Sequence, residues 1–159
     1  MAERAYAPYS GFRVGAVIVD ADALRVYELF IAPFEQSVAW SDRGVQGCLR
    51  FLSRFWNLAG EIVGAQGSGA AADEAEAEKG RQVLRTLNKT IRKVTRDMET
   101  FRFNTAVSAL MELQNEALDV WNGARGALTP AQWREVVTAM TLLVAPMAPH
   151  IGEEVWELL

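Results

Sequence analysis

Apolar residues recur along most of this chain at steps of three and four, the spacing that places them on one face of an α-helix. The clearest run is Leu84, Leu87, Ile91, Val94, Met98 and Phe101. A heptad-like seam of that length predicts a long amphipathic helix. Ala106, Leu110, Leu113, Ala117 and Trp121 make a second face, on a helix starting near Asn104 and stopped by Gly123 and Gly126. Trp133, Val136, Val137, Met140, Val144 and Met147 make a third. Thr129-Pro130-Ala131-Gln132 opens that helix as a capping box with proline at its first position, and Pro146 and Pro149 break it. Val45, Cys48, Leu49, Leu52, Phe55 and Trp56 follow Ser41, a good N-cap. Leu24, Val26, Tyr27, Leu29 and Phe30 predict a shorter helix ending before Pro33, and residues 150–159 a last helical turn or two.

Two stretches depart from this period. Residues 59–70 hold Gly60, Gly64, Gly67 and Gly69 and read as a flexible loop. The acidic run Asp73, Glu74, Glu76, Glu78 then suits the positive end of a helix dipole. Near the start, Pro8, Ser10 and Gly11 mark a turn, and Phe12–Val19 is short, apolar and rich in β-branched residues, which predicts a strand. The expected fold is therefore all-α, an antiparallel bundle of about five helices with a short N-terminal β-strand. The expected division is a segment 1–20 carrying the strand and a helical domain 21–159. The strand has no visible partner, and its free backbone groups suggest a homodimer in which two copies of Phe12–Val19 pair about a two-fold axis. The alternative is that residues 1–19 are disordered or lie along the bundle.

Composition narrows the function. At 159 residues the chain suits one domain, and its 50% hydrophobic and 23% charged content suits a soluble globular one. The single cysteine, Cys48, excludes an internal disulfide and fits a reducing, cytoplasmic setting; with the single histidine, His150, it cannot make a zinc site of those ligand types. No metal is expected. No apolar run approaches a membrane span, and no signal peptide is visible. The net charge of -4 excludes a global attraction to nucleic acid, so any RNA contact must be local.

Such a patch is present. Arg81, Arg85, Lys89, Arg92 and Arg96 lie within an arc of about 80° on the third helix, beside its apolar seam, with Lys93 and Lys79 flanking. Residues 79–102 hold eight basic and two acidic side chains. A ridge of this kind suits a phosphate backbone. A solvated outer face is the ordinary alternative, and the purity of sign on an acidic chain argues against it. Other candidates carry no chemistry. Glu153 and Glu154 diverge by about 100° on a helix and form no acid–base pair. The five tryptophans mostly fall at core spacing. His150 reads as a structural residue near a proline-bounded helix start, and Cys48 as a small buried hydrophobe.

Several blocks resemble bacterial leucyl-tRNA synthetase, a class I enzyme. They are Ala23-Leu24-Arg25-Val26-Tyr27-Glu28-Leu29-Phe30, Ala32-Pro33-Phe34-Glu35-Gln36, Arg50-Phe51-Leu52-Ser53-Arg54-Phe55-Trp56, Thr90-Ile91-Arg92-Lys93-Val94-Thr95, Phe101-Arg102-Phe103-Asn104-Thr105-Ala106 and Ala145-Pro146-Met147-Ala148-Pro149-His150-Ile151. The resemblance covers 22–159 and implies the helical anticodon-binding-type domain, which rests against the body of tRNA(Leu). With the basic ridge read above, it predicts tRNA binding through Arg81, Arg85, Lys89, Arg92, Lys93 and Arg96, weak because the net charge is -4. The full-length family uses ATP and Mg. The family's Lys-Met-Ser-Lys-Ser loop, nucleotide fold and editing domain have no counterpart here, so the chain alone is expected to need no cofactor and to be inactive as a leucine–tRNA ligase. His150-Ile151-Gly152 is followed by Glu153, not the second histidine of the class I ATP motif, and is a chance match. Residues 5–17, with Pro8-Tyr9-Ser10-Gly11-Phe12-Arg13-Val14-Gly15-Ala16, are similar to the N-terminus of cytidine deaminase, but none of that enzyme's zinc motifs is present. The junction suggests a second reading: an engineered or recombined chimera, a folded bundle with no ligand of its own.

Overall fold

Six α-helices follow one another in a computed structural model that describes residues 14–33, 36–65 and 72–159. They are α1 (Val14–Phe30), α2 (Asp42–Gly64), α3 (Glu74–Glu99), α4 (Phe103–Gly123), α5 (Pro130–Val144) and α6 (Pro149–Leu158), with a 3-10 turn at Arg125–Ala127. No strand occurs among the described residues. The all-α bundle is thus as expected, with the last helical turns forming a complete sixth helix.

The start signals act as the sequence suggests. Ser41 accepts a hydrogen bond from the Gly44 amide at 3.3 Å and opens α2. Thr129 and Gln132 form a reciprocal capping box at α5. Asp73 and Glu76 form another at α3, within the acidic run. Behind these caps the apolar faces of all six helices converge on one core. Trp133, Phe51, Phe55, Leu52, Leu110 and Leu113 are among its largest fully buried side chains. Burial pushes the Cys48 thiol up to about 11, so it stays neutral and packs as a hydrophobe.

Three local expectations are corrected. Val14–Val19, expected as part of a strand, is the first part of α1; Phe12 and Arg13 lie outside the described residues. A lone strand leaves its backbone groups unpaired, whereas a helix pairs them within the segment. The ribbon homodimer expected from Phe12–Val19 loses its basis, because the described part of that segment is no strand. The expected loop at 59–70 is helical as far as Gly64, because Leu58, Ala59 and Ile62 continue the buried face of α2. The α3 seam is also rotated. Gly80, Val83, Leu87, Thr90, Val94 and Asp97 are buried, while Leu84, Ile91 and Met98 are half-buried and Phe101 lies beyond the helix end.

That helix end sets the geometry of the α3–α4 corner. The Phe101 amide donates to the Met98 carbonyl at 3.3 Å and the Arg102 amide to the Asp97 carbonyl at 2.8 Å. With Thr100 as the cap, this is the Schellman pattern, which places Phe101 at φ 56°. A left-handed conformation costs a residue with a side chain about 1–2 kcal/mol. The short connection 100–102 turns α4 back along α3, and these two helices make the most extensive pairing in the bundle.

A buried carboxylate joins α1 to α6. Asp22 on α1 has no exposed surface. One of its oxygens accepts from the Ile151 amide at 2.8 Å; the other meets His150 Nδ1 at 2.9 Å and Arg25 at 3.0 Å. The N-cap of α6 is Ala148, which offers no side-chain acceptor, so α1 supplies the cap that α6 lacks. His150 is accordingly structural. Asp22→Ala is expected to destabilise the fold by about 3 kcal/mol, since it orphans a buried amide and removes an ionic partner; urea unfolding measures this. Gly80 sits where α3 crosses the 3-10 turn, and an added Cβ would collide with the Ala127 carbonyl and meet Leu128 Cδ2 at 3.0 Å. Gly80→Ala should cost about 1–3 kcal/mol in the same assay, although alanine favours an isolated helix by about 1 kcal/mol.

Candidate nucleic-acid interface

Helix α3 places its basic residues along one exposed flank, but they are not electrically equal. Glu74 and Glu78, one and two turns earlier, reach forward to the first two arginines. Arg81 binds Glu74 at 2.7 Å and Glu78 at 2.6 Å, and Arg85 binds Glu78 at 2.6 Å. The hydrogen bonds from Arg85 and then Arg81 hold the Glu78 carboxyl below its usual range. Glu74 and Glu78 in turn make the Arg81 guanidinium harder to deprotonate. These groups are exposed, so the pairs are weak and exchangeable. They nonetheless neutralise the first half of the ridge.

The second half differs. Lys89, Arg92 and Arg96 form no ion pair among the described residues. With Lys93, Asp97, Thr100 and Arg102 they line a recess of about 570 Å³. A second recess of about 270 Å³ continues toward Arg85, between α3 and α4, and there Glu112 and Glu116 face Lys89 and Lys93. The cationic surface is therefore concentrated at the α3–α4 corner.

Asp97 organises that corner. Its side chain is 9% exposed. It binds Lys93 Nζ and Thr105 Oγ1, each at 2.6 Å. Burial alone would raise its carboxyl, but the Lys93 and Thr105 hydrogen bonds and the charges of Lys93 and Arg102 outweigh it and hold the group below the usual carboxylate range. Lys93 is thereby turned inward, so of the six residues expected in the site it is committed to the fold, Arg81 and Arg85 are paired with carboxylates, and Lys89, Arg92 and Arg96 face solvent unpaired. Arg102 joins them, which the helical periodicity of α3 could not reveal because it lies past the helix end. The Lys93–Asp97 spacing was visible in the sequence, but the burial of Asp97 was not.

Among the described residues no three His, Cys, Asp or Glu side chains converge as a metal-binding set, and no helix is long and apolar enough to cross a membrane. Trp121 and Trp133 are buried and pack edge to face at 5.3 Å, whereas Trp40 and Trp156 are largely exposed.

The bundle has known relatives. Residues 80–159 match the family described as the anticodon-binding domain of tRNA ligase, and the chain belongs to that family. It is 41% identical over 138 residues to the leucine–tRNA ligase of Dehalococcoides mccartyi strain CBDB1, and 42% identical over 139 residues to that of Alkaliphilus oremlandii strain OhILAs. These matches take in 87% of this chain but only 16% and 15% of the two relatives. Among solved structures it is similar to the Agrobacterium radiobacter K84 agnB2 LeuRS, crystallised as a ternary complex with tRNA and LeuAMS. That match has a TM-score of 0.69 at 30% identity and covers 90% of this chain and 19% of that one. The resemblance to leucyl-tRNA synthetase seen in the sequence is borne out.

The Asp97 arrangement has a pH signature. A carboxyl lowered in the folded state contributes stability that is present above its unfolded pKa, about 3.9, and is lost as pH falls through the folded value. Asp97→Asn should therefore cost about 1–2 kcal/mol at pH 7. The gap between the two melting temperatures should close as pH is lowered below about 4, which thermal melts across that range will measure.

Proposed function

We propose that residues 21–159 form a tRNA-binding unit that contacts the phosphate backbone of tRNA(Leu) through α3, acting in the cytoplasm as part of leucine–tRNA ligation. The observation that carries this reading is the set of unpaired cations, Lys89, Arg92 and Arg96, on one flank of α3 in a chain of net charge -4. They stand one helical turn apart, at intervals of about 5–6 Å, and present separate point charges to a polyanion. Arg81, Arg85 and Lys93 complete the proposed site. Arg81 and Arg85 can exchange their exposed carboxylates for phosphates, and Lys93 holds the corner in shape. The adenylation chemistry of the relatives is not attributed to these residues. Its proposed part in the reaction is to position RNA.

A gel-shift titration with tRNA(Leu) at low salt tests the site. Changing Arg92 and Arg96 together to Glu should weaken binding at least about tenfold and reduce the log–log salt slope by about 2, since each phosphate contact contributes a slope of about 0.7–0.9. Changing Arg81 and Arg85 to Glu should have the smaller effect, because those cations are already partly neutralised. Unchanged binding in the first variant would remove α3 as the site. Should saturating tRNA also leave the melting temperature of the parent chain unmoved, the reading as a chimera without a ligand is favoured.

A further inference from the structure

The turn between α3 and α4 calls for glycine and holds phenylalanine. In the Schellman pattern the residue after the cap adopts a left-handed conformation, which glycine enters without steric cost. Phe101 stands there at φ 56°. The fold gains little burial from it, since the residue is 66% exposed. Its aromatic neighbour Phe103 meets it edge to face at 5.6 Å and restrains the ring while leaving it accessible. A side chain that strains the backbone and stays outside the core points to a contact beyond the chain.

The surroundings indicate the kind of contact. On one side Phe101 borders an open groove of about 460 Å³ shared with Phe103, Leu29, Pro33, Pro146 and Arg25. On the other side the next residue, Arg102, lines the cationic recess with Arg92 and Arg96. Consecutive Cα atoms are about 3.8 Å apart, so the turn carries an aromatic ring and a cationic side chain at adjacent positions, each at the edge of its own recess. We propose that the α3–α4 turn binds one unpaired nucleotide of an RNA, with its base stacked on Phe101 and its phosphate held by Arg102 and Arg96. This rests on the tRNA-binding reading and adds to it: the ridge suits duplex phosphates, whereas the turn offers a π-face that accepts any unstacked base. An acidic, apolar protein segment would match the same corner in part. RNA is the better occupant because the cations continue from Arg102 along α3 through Arg96 and Arg92 to Lys89, a line longer than one carboxylate needs.

The test uses two fluorescein-labelled probes and fluorescence anisotropy at low salt: a single-stranded RNA hexamer and a fully paired RNA duplex. Phe101→Gly removes the ring and places at that position the residue its backbone favours, so the variant should melt no lower than the parent. The expected result is a loss of hexamer affinity of roughly tenfold, with duplex affinity kept within about twofold. Phe101→Trp should retain hexamer binding, which a merely structural role for the ring would not require. Equal hexamer affinity in parent and Phe101→Gly overturns the proposal. So does a parent chain that binds the duplex and not the hexamer, and that outcome leaves the duplex-binding ridge standing. A parent that binds neither probe overturns the RNA-binding reading and this site with it.

Discussion

The α3–α4 corner depends on a carboxylate that the fold has taken out of water. Asp97 lies at the C-terminal end of α3, where the helix dipole opposes a negative charge, and beside the start of α4, where the dipole favours one. Thr105, on the first turn of α4, donates to it, and Lys93 closes over it one turn back on α3. A buried charge must be compensated, so this corner collects cations whatever it binds. Lys93 meets the requirement at short range and Arg102 at longer range. What remains outside, at Arg92 and Arg96, is positive charge that no ion pair among the described residues neutralises.

The contrast between the two halves of α3 follows from where its carboxylates fall. A glutamate three or seven residues before an arginine lies on the same helical face, so Glu74 and Glu78 shield Arg81 and Arg85. No acidic residue stands at the matching positions before Arg92 and Arg96: three and seven residues earlier come Lys89 and Arg85 for Arg92, and Lys93 and Lys89 for Arg96. The potential along the helix therefore rises toward its C-terminus, where a dipole alone would favour cations in any case. Because the chain as a whole is acidic, this local field orients a polyanion more than it attracts one from a distance.

Most of the bundle could be seen in the chain because its helices are amphipathic and explicitly capped. Ser41, Thr129 with Gln132, and the apolar faces of α4 and α5 all act as their spacing suggests. The failures have a shared cause. Val14–Val19 looked like a strand because β-branched composition was weighed without a partner to pair with. Residues 59–64 looked like a loop because two glycines drew attention from Leu58, Ala59 and Ile62, whose burial carries α2 through them. In both places tertiary context overrode local preference. The ridge was visible as a stripe of like charge, but its division into shielded and unshielded halves, and the place of Arg102 beside it, depend on rotamers and on a turn past the helix end. Asp22 was missed entirely, since nothing local says that its carboxylate caps a helix more than a hundred residues away.

These features together limit what kind of recognition the domain can perform. Cations spaced along a helix contact phosphates, and phosphate contacts set register and orientation but carry no base sequence. The amide side chains along α3 are engaged within the helix: Asn88 donates to the Leu84 carbonyl and Gln82 to the Thr86 hydroxyl. On the reading proposed above, phosphate contacts along α3 leave discrimination largely to the shape of the RNA, namely to how far its backbone follows the helix and whether a base stands free where the helix ends. Both are properties of a folded RNA as a whole. On the proposed reading, the shape of the α3–α4 corner is what holds such a molecule in place.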